Sequence, residues 1–191
     1  KDTITGLPNR RSFQALLERQ LEGGATGSVF FIDIFELRRV NDHFGHDTSD
    51  QLLRNIVRLL ENASPCRSRK FDPEHSASEA TSVDPVLARF GSTELVLLVP
   101  DFCEISQIEA LSDWLHNALG NAVEVSGRQF HPQIAIGAAR YPDDSASAIE
   151  IIQYAALACN TAMGIAEARK TVVFHPRLLD AIKARDAMEH D

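Results

Sequence analysis

The sequence predicts an α/β (α+β) domain: a mixed, largely antiparallel central sheet with helices on both faces. Three observations predict it. Apolar patterns of helical and of strand type alternate along the chain, so the strands must be covered by helices. One segment, Ser28 to Ile34, is an apolar run that reads as a buried strand. Two pairs of strand-like segments are joined by tight turns, which makes their members antiparallel neighbours.

The elements follow in order. Thr5-Gly6-Leu7-Pro8-Asn9-Arg10 is turn-rich. Phe13, Leu16, Leu17 and Leu21 then recur at helical spacing, predicting a helix over 10–22 that Gly23-Gly24 ends. After the strand at 28–34 come a short helical segment, a Phe44-Gly45-His46-Asp47 turn and a new helix over 48–62. Leu52, Leu53, Ile56, Val57, Leu59 and Leu60 form its buried face. Residues 64–84 are rich in Ser, Pro, Glu and Arg and read as a long exposed loop, with a small basic cluster at Arg67, Arg69 and Lys70. Strands are predicted over 86–90 and 95–99, joined by the turn Gly91-Ser92-Thr93-Glu94. An amphipathic helix over 105–119 carries Trp114, a core or interface residue. Val123-Glu124-Val125 and a strand over 130–139 pair around Ser126-Gly127. An alanine-rich helix over 148–168, a strand over 171–174 and a last helix over 177–189 close the chain.

With 191 residues, 44% hydrophobic and 24% charged, the chain suits one domain with a real core. Its net charge of -8, with no basic stripe, argues against a nucleic-acid surface. No apolar run reaches the roughly 18 residues of a membrane span, and no signal-peptide pattern is present. Cys66, Cys103 and Cys159 lie far apart and offer neither a metal pair nor a disulfide set, which fits a reducing, cytoplasmic compartment. Lys1 opens directly on a motif and Glu189-His190-Asp191 stops within a helical pattern, so the chain reads as one domain excised from a longer protein.

The residues with chemical interest are acids at strand ends. Asp33 closes an apolar strand, where a lone carboxylate is costly unless a charge or hydrogen bond meets it. Glu94 lies in the hairpin turn. If that hairpin packs beside the first strand, two carboxylates converge as they would to hold Mg²⁺ over a nucleoside triphosphate. Asp33 and Asp47 serve equally well as helix caps at this level of reading. The histidines have no zinc spacing, and there is no Walker-type glycine loop or nucleophile triad.

Four stretches together resemble the GGDEF domain of the diguanylate cyclase family. Asp2-Thr3-Ile4-Thr5-Gly6-Leu7-Pro8-Asn9-Arg10-Arg11-Ser12-Phe13 is similar to the family's opening D-x-L-T-G-L-P-N-R-R-x-F. Asn41-Asp42-His43-Phe44-Gly45-His46-Asp47-Thr48-Ser49-Asp50 resembles N-D-x-x-G-H-x-x-G-D. Arg89-Phe90-Gly91-Ser92-Thr93-Glu94-Leu95 occupies the place of R-[FY]-G-G-D-E-F. Gly137-Ala138-Ala139 with Tyr141-Pro142 resembles the late G-[IV]-A-x-[YF]-P strand.

The resemblance implies a fold like nucleotidyl cyclases and polymerase palm domains. It also implies a family reaction in which a dimer joins two GTP molecules into cyclic di-GMP with Mg²⁺. By position it implies metal binding at Asp33 and Glu94, guanine binding at Asn41 and Asp50, and phosphate contact at Arg38, where the family has lysine. An amide and a carboxylate suit the acceptor and donor edge of guanine.

The departures from the family pattern bear on turnover. Thr93 stands at the third position of the signature, which should be an acid, and Ser92 where it has its second glycine; Gly91 and Glu94 match it, and Leu95 fills its last position. Phe35 replaces the second aspartate of a D-x-D element. The late helix Cys159 to Ala168 lacks the family's phosphate-holding lysine, and Lys170 lies past it. The inhibitory R-x-x-D site is absent near Ser82 and Pro85. Losing an acid at a metal site costs orders of magnitude in rate.

The expectation is therefore a degenerate GGDEF domain over 1–175, with 64–84 as a loop insertion. It would bind GTP without diguanylate cyclase activity, regulating a neighbouring EAL or sensory domain and forming a homodimer. Residues 176–191 would be a linker helix of the kind that joins GGDEF to EAL domains. An active cyclase, with Glu94 as the residual catalytic acid, and a scaffold without nucleotide binding are the alternatives.

Overall fold

The computed structural model describes residues 1–62, 84–165 and 170–189. The elements are α1 (Arg10–Glu22), β1 (Gly27–Asp33), α2 (Glu36–Phe44), α3 (His46–Asn62), β2 (Val86–Arg89), β3 (Glu94–Pro100), α4 (Ile105–Gly120), β4 (Val123–Val125), β5 (Arg128–Phe130), β6 (Ala135–Tyr141), α5 (Ala148–Met163), β7 (Lys170–Val173) and α6 (Arg177–Glu189).

Five strands form the main sheet in the order β2-β3-β1-β6-β7. β1 is central and runs antiparallel to β3 and to β6; β2 is antiparallel to β3, and β6 and β7 pair in parallel. The predicted mixed, largely antiparallel sheet is thus the observed one. Strand alternation sorts the core into two layers. Phe30, Ile32, Leu95 and Leu97 face α2, α3 and α4, where Leu37, Leu52, Ile56 and Leu115 meet them. Val29, Phe31, Val96 and Leu98 face α1 and α5, against Phe13, Leu17, Ile151 and Ala155. Helices therefore cover both faces, which is why β1 is buried at every position but its last.

Close packing decides one of these contacts. A Cβ on Gly137 of β6 would lie 2.1 Å from the Cys159 amide nitrogen and 2.2 Å from the Ala155 carbonyl oxygen. The α5 backbone rests directly on the strand there, and only glycine leaves it room. At the start of α5, the Ser147 side chain accepts the Glu150 amide as an N-cap.

Several element boundaries differ from expectation. The second helix of the α2–α3 pair starts at His46 rather than Thr48, because Gly45 at φ +89 already turns the chain. The strand expected over 130–139 is two strands: β5 pairs with β4 in a separate ribbon, Pro132 interrupts, and β6 runs on to Tyr141 in the main sheet. The β4–β5 turn uses Ser126 and Gly127, both at positive φ, as a two-residue hairpin loop demands. α5 ends at Met163, capped at Gly164, well before the expected 168. Most of the expected loop over 64–84, including Arg67, Arg69, Lys70 and Ser82, lies outside the described residues, as does Cys66. Leu178 and Leu179 seat the first turn of α6 on the α1–α5 layer.

Candidate functional site

The signature hairpin and the end of β1 are neighbours by register. Asp33 is the direct cross-strand partner of Glu94, and the Ile34 amide donates to the Thr93 carbonyl at 2.8 Å. Directly opposed residues share a face, so both carboxylates stand on the α1–α5 side of the sheet. The hairpin thus packs beside the first strand, as the convergence expected from the sequence requires.

Asp33 is half-buried, and its Oδ1 is buried without a hydrogen-bond partner. Burial pushes its carboxyl above the ordinary value, while a hydrogen bond from Thr93 and the charge of Arg38 pull it back down. Thr93, at 9% exposure, thus addresses the carboxylate as a neutral hydroxyl from the place where an acid would repel it. Ser92 is exposed. Glu94 curls back over the turn: a Cβ on Gly91 would meet its Oε2 at 2.9 Å, so the first glycine of the signature keeps the position of that carboxylate open.

Arg89 fastens the same turn. Its guanidinium donates to the Gly91 carbonyl at 3.0 Å and the Ser92 carbonyl at 3.3 Å, and pairs with Asp2 at 3.0 Å. Asp2 also accepts the Thr5 amide and hydroxyl, and the Arg89 amide donates to the Pro8 carbonyl. The opening motif and the signature turn are one hydrogen-bonded unit. Burial alone would raise the Asp2 carboxyl, but Thr5 and Arg89 together hold it below its ordinary value. Both residues stand in the motifs, but nothing in their spacing shows the link between them.

The candidate guanine residues lie on the α2–α3 corner. Asn41, near the end of α2, is half-buried, and its Oδ1 is buried and unpartnered. Asp50, half-buried, lies near the start of α3. The hydroxyl of its neighbour Ser49 donates to the Leu37 carbonyl at 3.2 Å and ties the two helices together. Arg38 is exposed on α2 with its charge felt at Asp33.

Beneath the carboxylates lies Cys159 of α5. Burial, then the charges of Asp33 and Glu94, push its thiol up to about 12, so it stays protonated, and it donates to the Ala135 carbonyl at 3.4 Å. Trp114 packs half-buried against the α2–α4 core layer, in keeping with the core expectation.

Among the described residues no group of three or more His, Cys, Asp or Glu side chains could hold a metal ion. Asp33 and Glu94 nevertheless fit Mg²⁺, which takes one or two protein carboxylates and completes its shell with water and phosphate. The unsatisfied Asp33 Oδ1 is the observation that favours such a ligand. No helix among the described residues is long and apolar enough to cross a membrane.

Comparison with known proteins agrees with this geometry. The family model described as "Diguanylate cyclase, GGDEF domain" matches residues 1–68 and 75–167. Among curated relatives, the cyclic di-GMP phosphodiesterase NbdA of Pseudomonas aeruginosa is 29% identical over 161 residues, covering 82% of this chain and 18% of NbdA. The response regulator PleD of Caulobacter vibrioides is 32% identical over 133 residues, covering 68% of this chain and 24% of PleD. The chain thus spans about a fifth to a quarter of the length of these relatives. Among solved structures, the GGDEF domain of TpbB (YfiN) from Pseudomonas aeruginosa superposes with a TM-score of 0.74 at 23% identity, covering 94% of this chain and 98% of that one. The GGDEF domain of DgcB from Caulobacter crescentus, solved in complex with c-di-GMP, gives 0.70 at 20% identity, covering 91% and 94%.

Proposed function

Because this chain belongs to the GGDEF family, the diguanylate cyclase domain of cyclic di-GMP signalling, we propose that it keeps the nucleotide-binding part of that chemistry and has lost the catalytic part. It binds GTP with Mg²⁺, does not join two GTP molecules, and uses occupancy of the site to regulate a neighbouring domain. The observation that carries this reading is the Asp33–Glu94 pair with Thr93 between them.

Asp33 and Glu94 would hold Mg²⁺, Arg38 would face the phosphates, and Asn41 and Asp50 would hydrogen-bond the guanine edge. When bound, Mg²⁺ supplies charge neutralisation to the triphosphate and acidifies a hydroxyl directed at it. The chain lacks the partner for that second task. Thr93 carries no charge near neutral pH and cannot receive the proton of an attacking ribose hydroxyl, so turnover falls by orders of magnitude. Ser92 adds a side chain where the family's second glycine admits the phosphates.

The neighbour is an EAL-type or sensory domain of a longer protein. Two relatives, NbdA and PdeR of Escherichia coli, bear the name cyclic di-GMP phosphodiesterase, and the chain covers only 18% and 22% of their lengths. In this reading residues 1–175 are the nucleotide-binding unit, and α6 carries its state onward. The domain works as a dimer, as a family that joins two substrates across a two-fold axis would.

The test is calorimetric titration of GTP with Mg²⁺, with the final solution chromatographed for cyclic di-GMP. Saturable heat without product is expected, and Asn41→Ala or Asp50→Ala should remove the heat. Formation of cyclic di-GMP would establish an active cyclase with an altered signature. Absence of both heat and product would leave a scaffold.

A further inference from the structure

The register that joins Asp33 to Glu94 continues across the sheet. Asp33 pairs with Ala135 of β6, and Ala135 pairs with Lys170 of β7. Glu94, Asp33, Ala135 and Lys170 therefore form one cross-sheet row with side chains on one face. Within the row only the methyl group of Ala135, buried under Cys159 of α5, stands between the acids and the lysine. Lys170 is two strand spacings, roughly 10 Å, from Asp33, and its four-carbon stem can carry the ammonium across much of that interval.

Where that ammonium goes is the informative part. Its Nζ lies 5.0 Å from the centroid of the Phe35 ring, within the range of about 6 Å at which an aromatic face attracts a cation. Phe35 occupies the N-cap position of α2, directly after Ile34, where small polar side chains normally cap the helix; it makes no cap hydrogen bond. The ring instead packs at the edge of the α1–α5 layer and serves as a seat for the cation. Met163, at the end of α5, offers no charge.

We propose that Lys170, seated on the Phe35 ring, is the phosphate-holding cation of this site and binds the di- or triphosphate tail of a guanine nucleotide opposite Arg38. The inference rests on the nucleotide-binding reading above. The Phe35 and Lys170 positions then act as a pair: the ring replaces a negative group that would hold the ammonium away from phosphate, and the ammonium faces an anion. With Arg38 it gives the site two cations to set against Asp33 and Glu94. An ammonium is a point charge that tolerates a loosely placed phosphate, unlike a guanidinium fork.

The experiment compares GTP, GDP and guanosine by calorimetry in the parent, Lys170→Met, Lys170→Arg and Phe35→Leu. Lys170→Met should weaken GTP and GDP by about tenfold or more, as loss of a charge-assisted hydrogen bond does, and leave guanosine unchanged. Lys170→Arg should retain most of the affinity, and Phe35→Leu should lose part of it. Thermal melts of the empty proteins show whether each variant is folded. Equal GTP affinity in the parent and Lys170→Met would overturn the assignment while leaving nucleotide binding intact. Equal losses for GTP and guanosine would also overturn it, because the effect would then be structural. A parent that binds no GTP would overturn both this inference and the reading beneath it.

Discussion

At Asp33, burial favours the protonated carboxyl, while Thr93 and Arg38 favour the carboxylate; burial prevails and the value is raised. A protonated carboxyl cannot serve Mg²⁺. As pH falls from neutral, affinity for Mg²⁺ with GTP should therefore decline at higher pH than an ordinary carboxylate would cause, which titrations across mildly acidic pH measure. For folding of the empty domain the sign is opposite. Through that same window above 3.8 the native state binds a proton that the unfolded chain has not taken up, so acidification stabilises it and rising pH removes that gain. Asp2 behaves the other way. Its lowered value contributes stability above 3.8 that is lost as pH falls through the folded-state value. Asp2→Asn should cost about 1–2 kcal/mol near neutral pH, where it weakens a hydrogen-bonded pair with Arg89, and progressively less in acid. Urea unfolding at two pH values checks both the size and the trend.

Among the elements, Gly137 is the most constrained. Gly137→Ala should destabilise the domain by about 3 kcal/mol, because the α5 backbone must lift off β6 and overpacking of that kind has no flexible side chain to absorb it. Chemical denaturation reads this directly. Hydrophobic periodicity made α1 legible to the residue, since Phe13 and Leu17 are its buried positions and Gly23 its end. The β2–β3 hairpin was legible for a similar reason, with a four-residue turn between two apolar runs. At the β5–β6 break Pro132 is the local sign that one strand cannot run through, but which sheet each side joins is decided by long-range pairing. The site divides along the same line. Asp33 and Glu94 stand out in the sequence as acids at strand ends, and Asn41 and Asp50 as positions that match the family's motif. Lys170 lies beyond the late helix in sequence, and its approach to Phe35 depends on parallel pairing with β6, which no local pattern encodes. The Asp2–Arg89 link joins the two ends of a long sequence interval and was hidden for the same reason.

For the whole molecule, a ligand that binds only the folded state must raise the melting temperature. At GTP and Mg²⁺ concentrations about ten times the dissociation constant, the gain is about 1.4 kcal/mol, or about 3–5 °C for a domain of this size. Differential scanning fluorimetry should show that shift in the parent and none in Asn41→Ala. Thr93→Asp should give a similar shift without restoring cyclic di-GMP synthesis, because Ser92 and Phe35 would still depart from the family pattern. The central position of β1 has a consequence for synthesis. Gly27 must find Pro100 on one side and Tyr141 on the other before the strand has both neighbours. A chain leaving the ribosome at about 5–20 residues per second therefore carries Val29-Phe30-Phe31-Ile32 with an open edge for several seconds, first unpaired and then half-paired. Ribosome-bound chains stalled between β3 and β6 should recruit chaperones that chains extended past Tyr141 and α5 release.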